Sequence, residues 1–165
     1  MGLFGSSKIV LNLEKTNYSP EENIKGSIKL ALKKPIKGRG LEVALIGAEI
    51  RTHKSHNHNH FHRDDHHFGH HFDNDETYTT AQPFFLSKIT LDGEKEYFSE
   101  EYEFEIKIPP DVHKDEPKYE GNLGKLMKFS QRMGGRPSYI EWYVKAQLDV
   151  PLKIDLRAEE KIKLA

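Results

Sequence analysis

The sequence contains no cysteine among its 165 residues, so disulfide bonds and thiolate chemistry are excluded. No apolar run approaches the ~20 residues that a membrane-spanning helix needs, and the apolar core of a signal peptide is missing as well. Neither sign of charge dominates, because 25 lysines and arginines stand against 26 aspartates and glutamates. A chain without a basic surplus has no overall field that attracts nucleic acid. We therefore expect a cytoplasmic protein that does not bind nucleic acid.

The sequence also lacks the patterns that mark common catalytic centres. It has no glycine-rich phosphate loop between a strand and a helix, and none of its serines has the surroundings of a nucleophile elbow. Gly134-Gly135 is better explained as the end of a helix. We predict that the protein is not an enzyme, with no catalytic residues and no required cofactor.

What the sequence does contain is a two-residue alternation of apolar and polar side chains, typical of β-strands with one buried face. The longest alternating segment covers residues 140–150, and a final strand is predicted to start at Leu152 and run towards Leu164. Residues 41–50 are apolar on both sides, which predicts a central strand where Gly47 makes room for a neighbour. Seven or eight such segments without alternating helices predict an all-β fold, an immunoglobulin-like antiparallel β-sandwich.

One segment has helical spacing instead. Asn122 is a suitable N-cap, apolar residues then recur three or four positions apart up to Met133, and Gly134 follows. We predict a short, basic, amphipathic helix over about 122–133 in a late loop. Residues 1–7 are predicted to be a flexible leader, although they also fit an N-myristoylation pattern, and residues 8–165 a single domain.

Four blocks of sequence, in order, carry a resemblance that covers nearly the whole chain. They are Tyr18–Ile28, Arg39–Gly47, Thr90–Pro109 and Ile140–Pro151. Their aromatic, proline, glycine and apolar positions are similar to those of the arrestin-like superfamily. The resemblance implies a sandwich used for protein recognition and trafficking and not for catalysis. The chain has length for one such sandwich, as in compact archaeal and bacterial arrestin-like proteins of the sporulation-control kind. Glu21 stands where the family often has glycine, so we expect a different turn geometry there.

The most unusual stretch is HKSHNHNHFHRDDHHFGHH, residues 53–71, which holds nine of the ten histidines. In an extended chain, alternate positions place several imidazoles on one side, close enough to share a metal. Imidazole with neighbouring carboxylates suits Zn, Ni or Cu. The predicted metal ligands are His56, His58, His60, His62, His66, His67, His70 and His71.

Two other interpretations of this histidine-rich loop, an insertion at about 53–76, stay open. It is a solvated low-complexity link between two strands, or it senses pH, because histidines that gain protons together would turn an acidic loop basic. The fold is expected to survive its deletion in each case.

The leading hypothesis is a non-enzymatic arrestin-like scaffold or adaptor that binds a protein partner along a sheet edge or a concave face. One alternative is transition-metal binding or pH sensing through the histidine-rich loop. A second alternative is peripheral membrane association through the N-terminus, where Leu3 and Phe4 are apolar, together with the basic helix.

Overall fold

The computed structural model describes residues 6–55, 76–117 and 138–165. None of these described residues lies in a helix, and the helix predicted over 122–133 falls outside them. The described part of the chain also holds no helix long and apolar enough to cross a membrane. Its strands are β1 (Lys8–Leu13), β2 (Asn17–Tyr18), β3 (Asn23–Ala31), β4 (Ile36–Gly38), β5 (Gly40–Ser55), β6 (Glu76–Asp92), β7 (Lys95–Tyr97), β8 (Glu101–Lys107), β9 (Tyr139–Asp149) and β10 (Leu156–Leu164).

The described strands form three sheets. The first has the order β1-β3-β8, the second β2-β10-β9-β5-β6, and the third pairs β4 with β7. β10 pairs with β2 in parallel, whereas β1–β3, β3–β8, β4–β7 and β9–β10 are antiparallel. The prediction of an all-β sandwich is confirmed. The strand number exceeds the expected seven or eight because β2, β4 and β7 are strands of only two or three residues, too short for an alternating pattern to predict.

The described residues fall into two compact units. The first comprises residues 6–49, 83–117 and 140–165, and the second comprises residues 50–55, 76–82 and 138–139. The core lies in the first unit, where alternate residues of β1, β3, β5, β8 and β9 are buried together. This burial follows the two-residue period of the sequence, because successive side chains of a strand point to opposite faces.

β5 lies between β9 and β6 and is therefore a central strand. The apolar residues on both of its sides predict this position. Leu41, Val43 and Leu45 are fully buried, and Ala48 on the opposite side is also fully buried. Gly47 allows the close approach of another strand. A Cβ at this position would lie 2.7 Å from Cη2 of Trp142 and 2.9 Å from Cζ of Phe84. The predicted role of Gly47 is therefore confirmed.

Phe84 and Phe85 of β6 complete the packing around this indole. Their ring centroids lie 5.5 and 5.3 Å from that of Trp142, the first in an edge-to-face arrangement. Such aromatic pairs stabilise a fold by about 0.5–1.5 kcal/mol beyond their area burial. The packing of Phe84, Phe85 and Trp142 therefore joins β6 to β9 across the backbone of β5.

Two sequence-based boundaries are wrong. β5, predicted over 41–50, runs to Ser55, whereas β6 begins at Glu76, where the predicted insertion at about 53–76 ends. The last strand begins at Leu156 and not at Leu152. Leu152 and Ile154 are exposed in a turn instead, since Pro151 interrupts the ladder and Asp155 accepts the backbone N–H of Val150 at 3.0 Å.

The expected change of geometry at Glu21 is also wrong. Glu21 has a φ of 69°, so it adopts the left-handed conformation that glycine would supply. Pro20 precedes it, and the N–H of Glu22 donates to the carbonyl of Ser19 at 3.2 Å, as in a type II turn. The Glu22 carboxylate accepts the Ser19 N–H at 2.7 Å and pairs with Lys15 at 2.9 Å. These bonds hold the turn without a glycine.

We expect Gly47→Ala to lower the free energy of unfolding by about 1–3 kcal/mol, because the new methyl group overlaps the indole of Trp142 and the ring of Phe84. The measurement is urea denaturation followed by the fluorescence of Trp142, the one tryptophan of the sequence. Gly93→Ala is the matched control, because a Cβ there meets nothing within 4 Å. Equal unfolding midpoints for the two variants would contradict the close approach at Gly47.

Candidate functional site

The eight histidines predicted as metal ligands, from His56 to His71, all lie outside the described residues. Within residues 6–55, 76–117 and 138–165, no three histidine, aspartate or glutamate side chains are grouped to hold a metal ion. The metal site therefore stays a prediction from the sequence.

His53, the first histidine of the tract, is described and has local partners. Its Nε2 lies 3.0 Å from Oγ1 of Thr80, and its ring stacks on that of Tyr78 with centroids 5.1 Å apart. A histidine at the end of β5 is thus bound to two residues of β6. These contacts place His53 in the strand pair, where it acts as a structural residue.

β1 is an edge strand of the three-stranded sheet, and its open side can be identified from backbone hydrogen bonds. The N–H of Glu14 donates to the carbonyl of Lys25 on β3 at 3.1 Å. Antiparallel pairs alternate between bonded and non-bonded positions, so the β1 residues with their N–H and C=O directed away from β3 are Ile9, Leu11 and Leu13. Their side chains pack in or against the core. Within the described residues, these backbone N–H and C=O groups have no hydrogen-bond partner, although β10 lies close to β1. Core packing fixes the residues that carry them.

β8 forms the opposite edge of the same sheet and differs in charge. The N–H of Ile108 donates to the carbonyl of Glu22 at 2.9 Å, so Ile108 is at a position bonded to β3. Because bonded and non-bonded positions alternate, the N–H groups of three glutamates on β8 point away from β3. These glutamates, Glu101, Glu103 and Glu105, also have exposed side chains. Charged side chains beside unpaired backbone groups discourage the addition of another strand. The β8 edge is therefore protected, and the β1 edge is not protected in this way.

The edges of the five-stranded sheet are also less suited to pairing. β6 contains Pro83, which has no N–H to donate. On the other side, β2 pairs with Lys163 and Leu164 at the end of β10. The remaining part of β10 carries exposed charged residues such as Arg157 and Glu159. β1 carries one charged residue and no proline, so these two barriers to pairing with another chain are low there, although β10 lies close to it.

A shallow groove of about 690 Å³ crosses the three strands of the first sheet beside this edge. Gly26 is one of its lining residues, and a Cβ there would be 2.9 Å from Cζ of Phe104, so the backbone of β3 approaches this ring closely. The groove has an acidic surplus, since Glu14, Glu103 and Glu105 face one lysine. Its lining comprises Asn12, Leu13, Glu14, Lys25, Gly26, Ser27, Glu103, Phe104 and Glu105.

A second feature, which we call the histidine clamp, consists of His113, Glu116 and Ala165. Nδ1 of His113 lies 2.5 Å from Oε1 of Glu116, and Nε2 lies 2.8 Å from the main-chain oxygen of Ala165. The indole N–H of Trp142 donates to the same Glu116 oxygen at 3.3 Å. The N–H of Ala165 donates to the carbonyl of Tyr18 at 2.9 Å. The clamp thus ties the segment after β8 to the end of β10 and to β2.

The charge state of His113 follows from these contacts. Both ring nitrogens face oxygen acceptors, so the doubly protonated imidazolium satisfies both. The hydrogen bond to Glu116 raises the pKa of His113 above 6.5, partial burial opposes this rise, and the oxygen of Ala165 adds to it. Since the pKa is higher in the folded state, the clamp stabilises the fold fully below the unfolded pKa. This contribution is lost as the pH rises through the raised value.

Residues 7–164 match the family model for the arrestin (or S-antigen) N-terminal domain. The chain belongs to the arrestin family. Among solved structures, this arrestin-like chain is similar to Spo0M, the sporulation control protein from Bacillus subtilis, with a TM-score of 0.55 and 16% identity. The similarity covers 98% of this chain and 50% of that one, so the chain spans half the length of Spo0M, and at this identity it shows the fold alone. No curated protein matches the chain.

The arrestin-like sequence pattern predicts the sheets, but it does not predict the histidine clamp. His113 lies outside the histidine-rich tract, and the local signal is its spacing of three residues from Glu116 within a run of turns. The other contact joins His113 to Ala165, 52 residues away. No periodicity in the sequence connects two positions so far apart.

We expect His113→Ala to destabilise the arrestin-like fold at acidic pH and to have less effect at alkaline pH, because only the protonated ring donates to both acceptors. The loss at low pH is about 0.5–1 kcal/mol, since solvent screens a partly exposed pair. Thermal denaturation of both proteins over a pH series provides the measurement. Lys114→Ala, which removes an exposed neighbour paired with Asp111, is the control. A constant difference between wild type and His113→Ala at every pH would contradict a charged clamp.

Proposed function

We propose that this protein is a non-catalytic arrestin-like scaffold that binds an extended segment of a protein partner by strand addition at β1. The observation that carries the proposal is the open edge of this strand. Ile9, Leu11 and Leu13 direct their backbone N–H and C=O groups away from β3, and their side chains fix the strand in the core. A pre-formed edge with unpaired backbone groups is the structure that strand addition requires.

The groove beside this edge favours partners with basic side chains. In strand addition, backbone hydrogen bonds supply affinity and alternate side chains supply specificity. Side chains on the outer face of an added strand would lie next to Asn12 and reach towards the groove, whose acidic surplus comes from Glu14, Glu103 and Glu105. Opposite charges on the two chains speed association and select the register.

The family also supports a binding role. Arrestin-like proteins are generally non-enzymatic, and Spo0M, whose fold the chain shares, is a sporulation control protein. A protein can control a process by binding another protein, without catalysing a reaction. We infer that this chain likewise acts through the partner that it binds and not through a reaction that it catalyses.

Site-specific photo-crosslinking tests this proposal directly, because the sequence has no cysteine that would take up the label elsewhere. Asn12→Cys places a maleimide–benzophenone probe on the outer face of β1. Glu101→Cys is the control, since Glu101 is exposed on the opposite, protected edge of the same sheet and does not line the groove. We expect the probe at position 12 to crosslink a specific partner from a lysate of the source cells. Its yield should be at least about tenfold higher than that of the control probe on β8, because charged side chains protect the β8 edge.

Two results would contradict the proposal. Equal crosslinking from both positions would show that the β1 edge has no special role. Crosslinking from position 101 alone would assign the partner to the β8 edge. Denaturation curves for both labelled variants show beforehand that each remains folded.

A further inference from the structure

The turn between β9 and β10 exposes two large apolar side chains that the fold does not use. Leu152 is 105% exposed and Ile154 is 91% exposed, the highest values among the exposed large apolar residues of the described chain. Lys153 lies between them and is exposed as well. The turn therefore presents Leu-Lys-Ile to solvent, immediately after Pro151.

Folding alone does not explain Leu152. Its φ of 58° lies in the left-handed region, which costs a residue with a Cβ about 1–2 kcal/mol. Asparagine or glycine adopts this conformation more readily, and a fully exposed leucine gains no packing energy in return. Backbone strain that the fold does not need is a reason to look for a binding role.

Further apolar groups lie at the same end of the sandwich. A groove of about 840 Å³ separates the turn from the β3–β4 loop and is lined by Pro35 and Ile36 on one side and by Val150 and Pro151 on the other. The antiparallel register of β4 with β7 pairs Ile36 with Tyr97. Phe98, the residue that follows β7, is 54% exposed.

The charges around these apolar residues are mainly positive. Lys34 and Lys153 line the groove and form no ion pair with any described residue, and Lys33 next to them is exposed. The two glutamates of the groove face cations. Glu96 is the register partner of Lys37. The hydrogen bond to Asp149 is the main cause of the raised pKa of Arg39, and the charge of Glu94 adds to it.

We propose that this end of the sandwich is a membrane-docking surface for an anionic lipid bilayer. Leu152 and Ile154 insert between the lipid headgroups, Phe98 lies at the interface, and Lys34 and Lys153 contact the headgroup charges. The surface is distinct from the β1 edge, so the proposal does not depend on strand addition there.

The shape of the turn favours a bilayer over a protein. Protein hot spots are anchors that fill pockets of a partner within a broad complementary interface, whereas two protruding aliphatic side chains with a lysine between them match shallow insertion into a headgroup layer. Each lysine near an anionic membrane surface adds electrostatic attraction. The residues that precede β1 lie at the same end of the sandwich as these lysines. The N–H of Lys33 donates to Oγ of Ser7 at 3.2 Å.

Vesicle co-sedimentation of the full chain tests the proposal. Wild type should bind phosphatidylcholine vesicles that contain phosphatidylserine, bind pure phosphatidylcholine vesicles weakly, and dissociate at high salt because exposed charges are screened. The double variant Leu152→Asn, Ile154→Ser should lose about tenfold or more in partition, as the removal of two inserting aliphatic side chains implies. Asparagine suits the left-handed position, so the variant should melt no lower than wild type.

Leu86→Ser is the matched control, because Leu86 is an exposed leucine of β6 outside this surface, and it should bind like wild type. Inorganic phosphate added at constant ionic strength should not displace the protein, since the ligand is a lipid surface and not a free anion. Three results would overturn the proposal: no binding of wild type to anionic vesicles, full binding by the double variant, or displacement by phosphate. The second result would place lipid contact elsewhere in the chain, and self-association in place of vesicle binding would assign the turn to contacts between copies.

Discussion

The close packing of the Trp142 indole against the backbone of β5 at Gly47 is the contact on which the sandwich depends. A side chain at position 47 would overlap both this indole and Phe84, so glycine sets the distance between β5 and the rings that cover it. Phe84 and Phe85 bring β6 to the same indole, and its N–H donates to Glu116 of the histidine clamp. One side chain therefore connects the central strands to the segment after β8.

The core also determines which surfaces are open for binding. Because the side chains of Ile9 and Leu11 are buried, β1 is held in place while the outer side of its backbone stays unpaired among the described residues. The charged edge of β8 and Pro83 in β6 limit pairing elsewhere. At the end of the sandwich, Leu152 and Ile154 are outside the core altogether. The two proposed surfaces, one for a protein segment and one for a lipid surface, thus lie on different parts of one scaffold.

The sequence predicts the features that depend on alternation. The all-β class and the two-sided burial of β5 follow from the positions of apolar residues, and Gly47 follows from a gap in that pattern. The turn conformation of Glu21 and the exposure of Leu152 do not follow, because backbone geometry is set there by hydrogen bonds and prolines that outweigh residue preference. The contact of His113 with Ala165 depends on tertiary packing, and the histidine ligands from His56 to His71 stay a prediction.

Residue-resolved amide hydrogen exchange of the free protein tests the central claim that β1 is an open and rigid edge. We predict alternating protection along β1. The N–H groups of Val10 and Asn12 donate to β3 and should exchange slowly, whereas the N–H groups of Ile9 and Leu11 point away from β3 and should exchange fast. Trp142 and its neighbours on β9 should be protected throughout. Uniformly slow exchange along β1 would contradict this claim, because it would show that another segment or another copy already covers the edge.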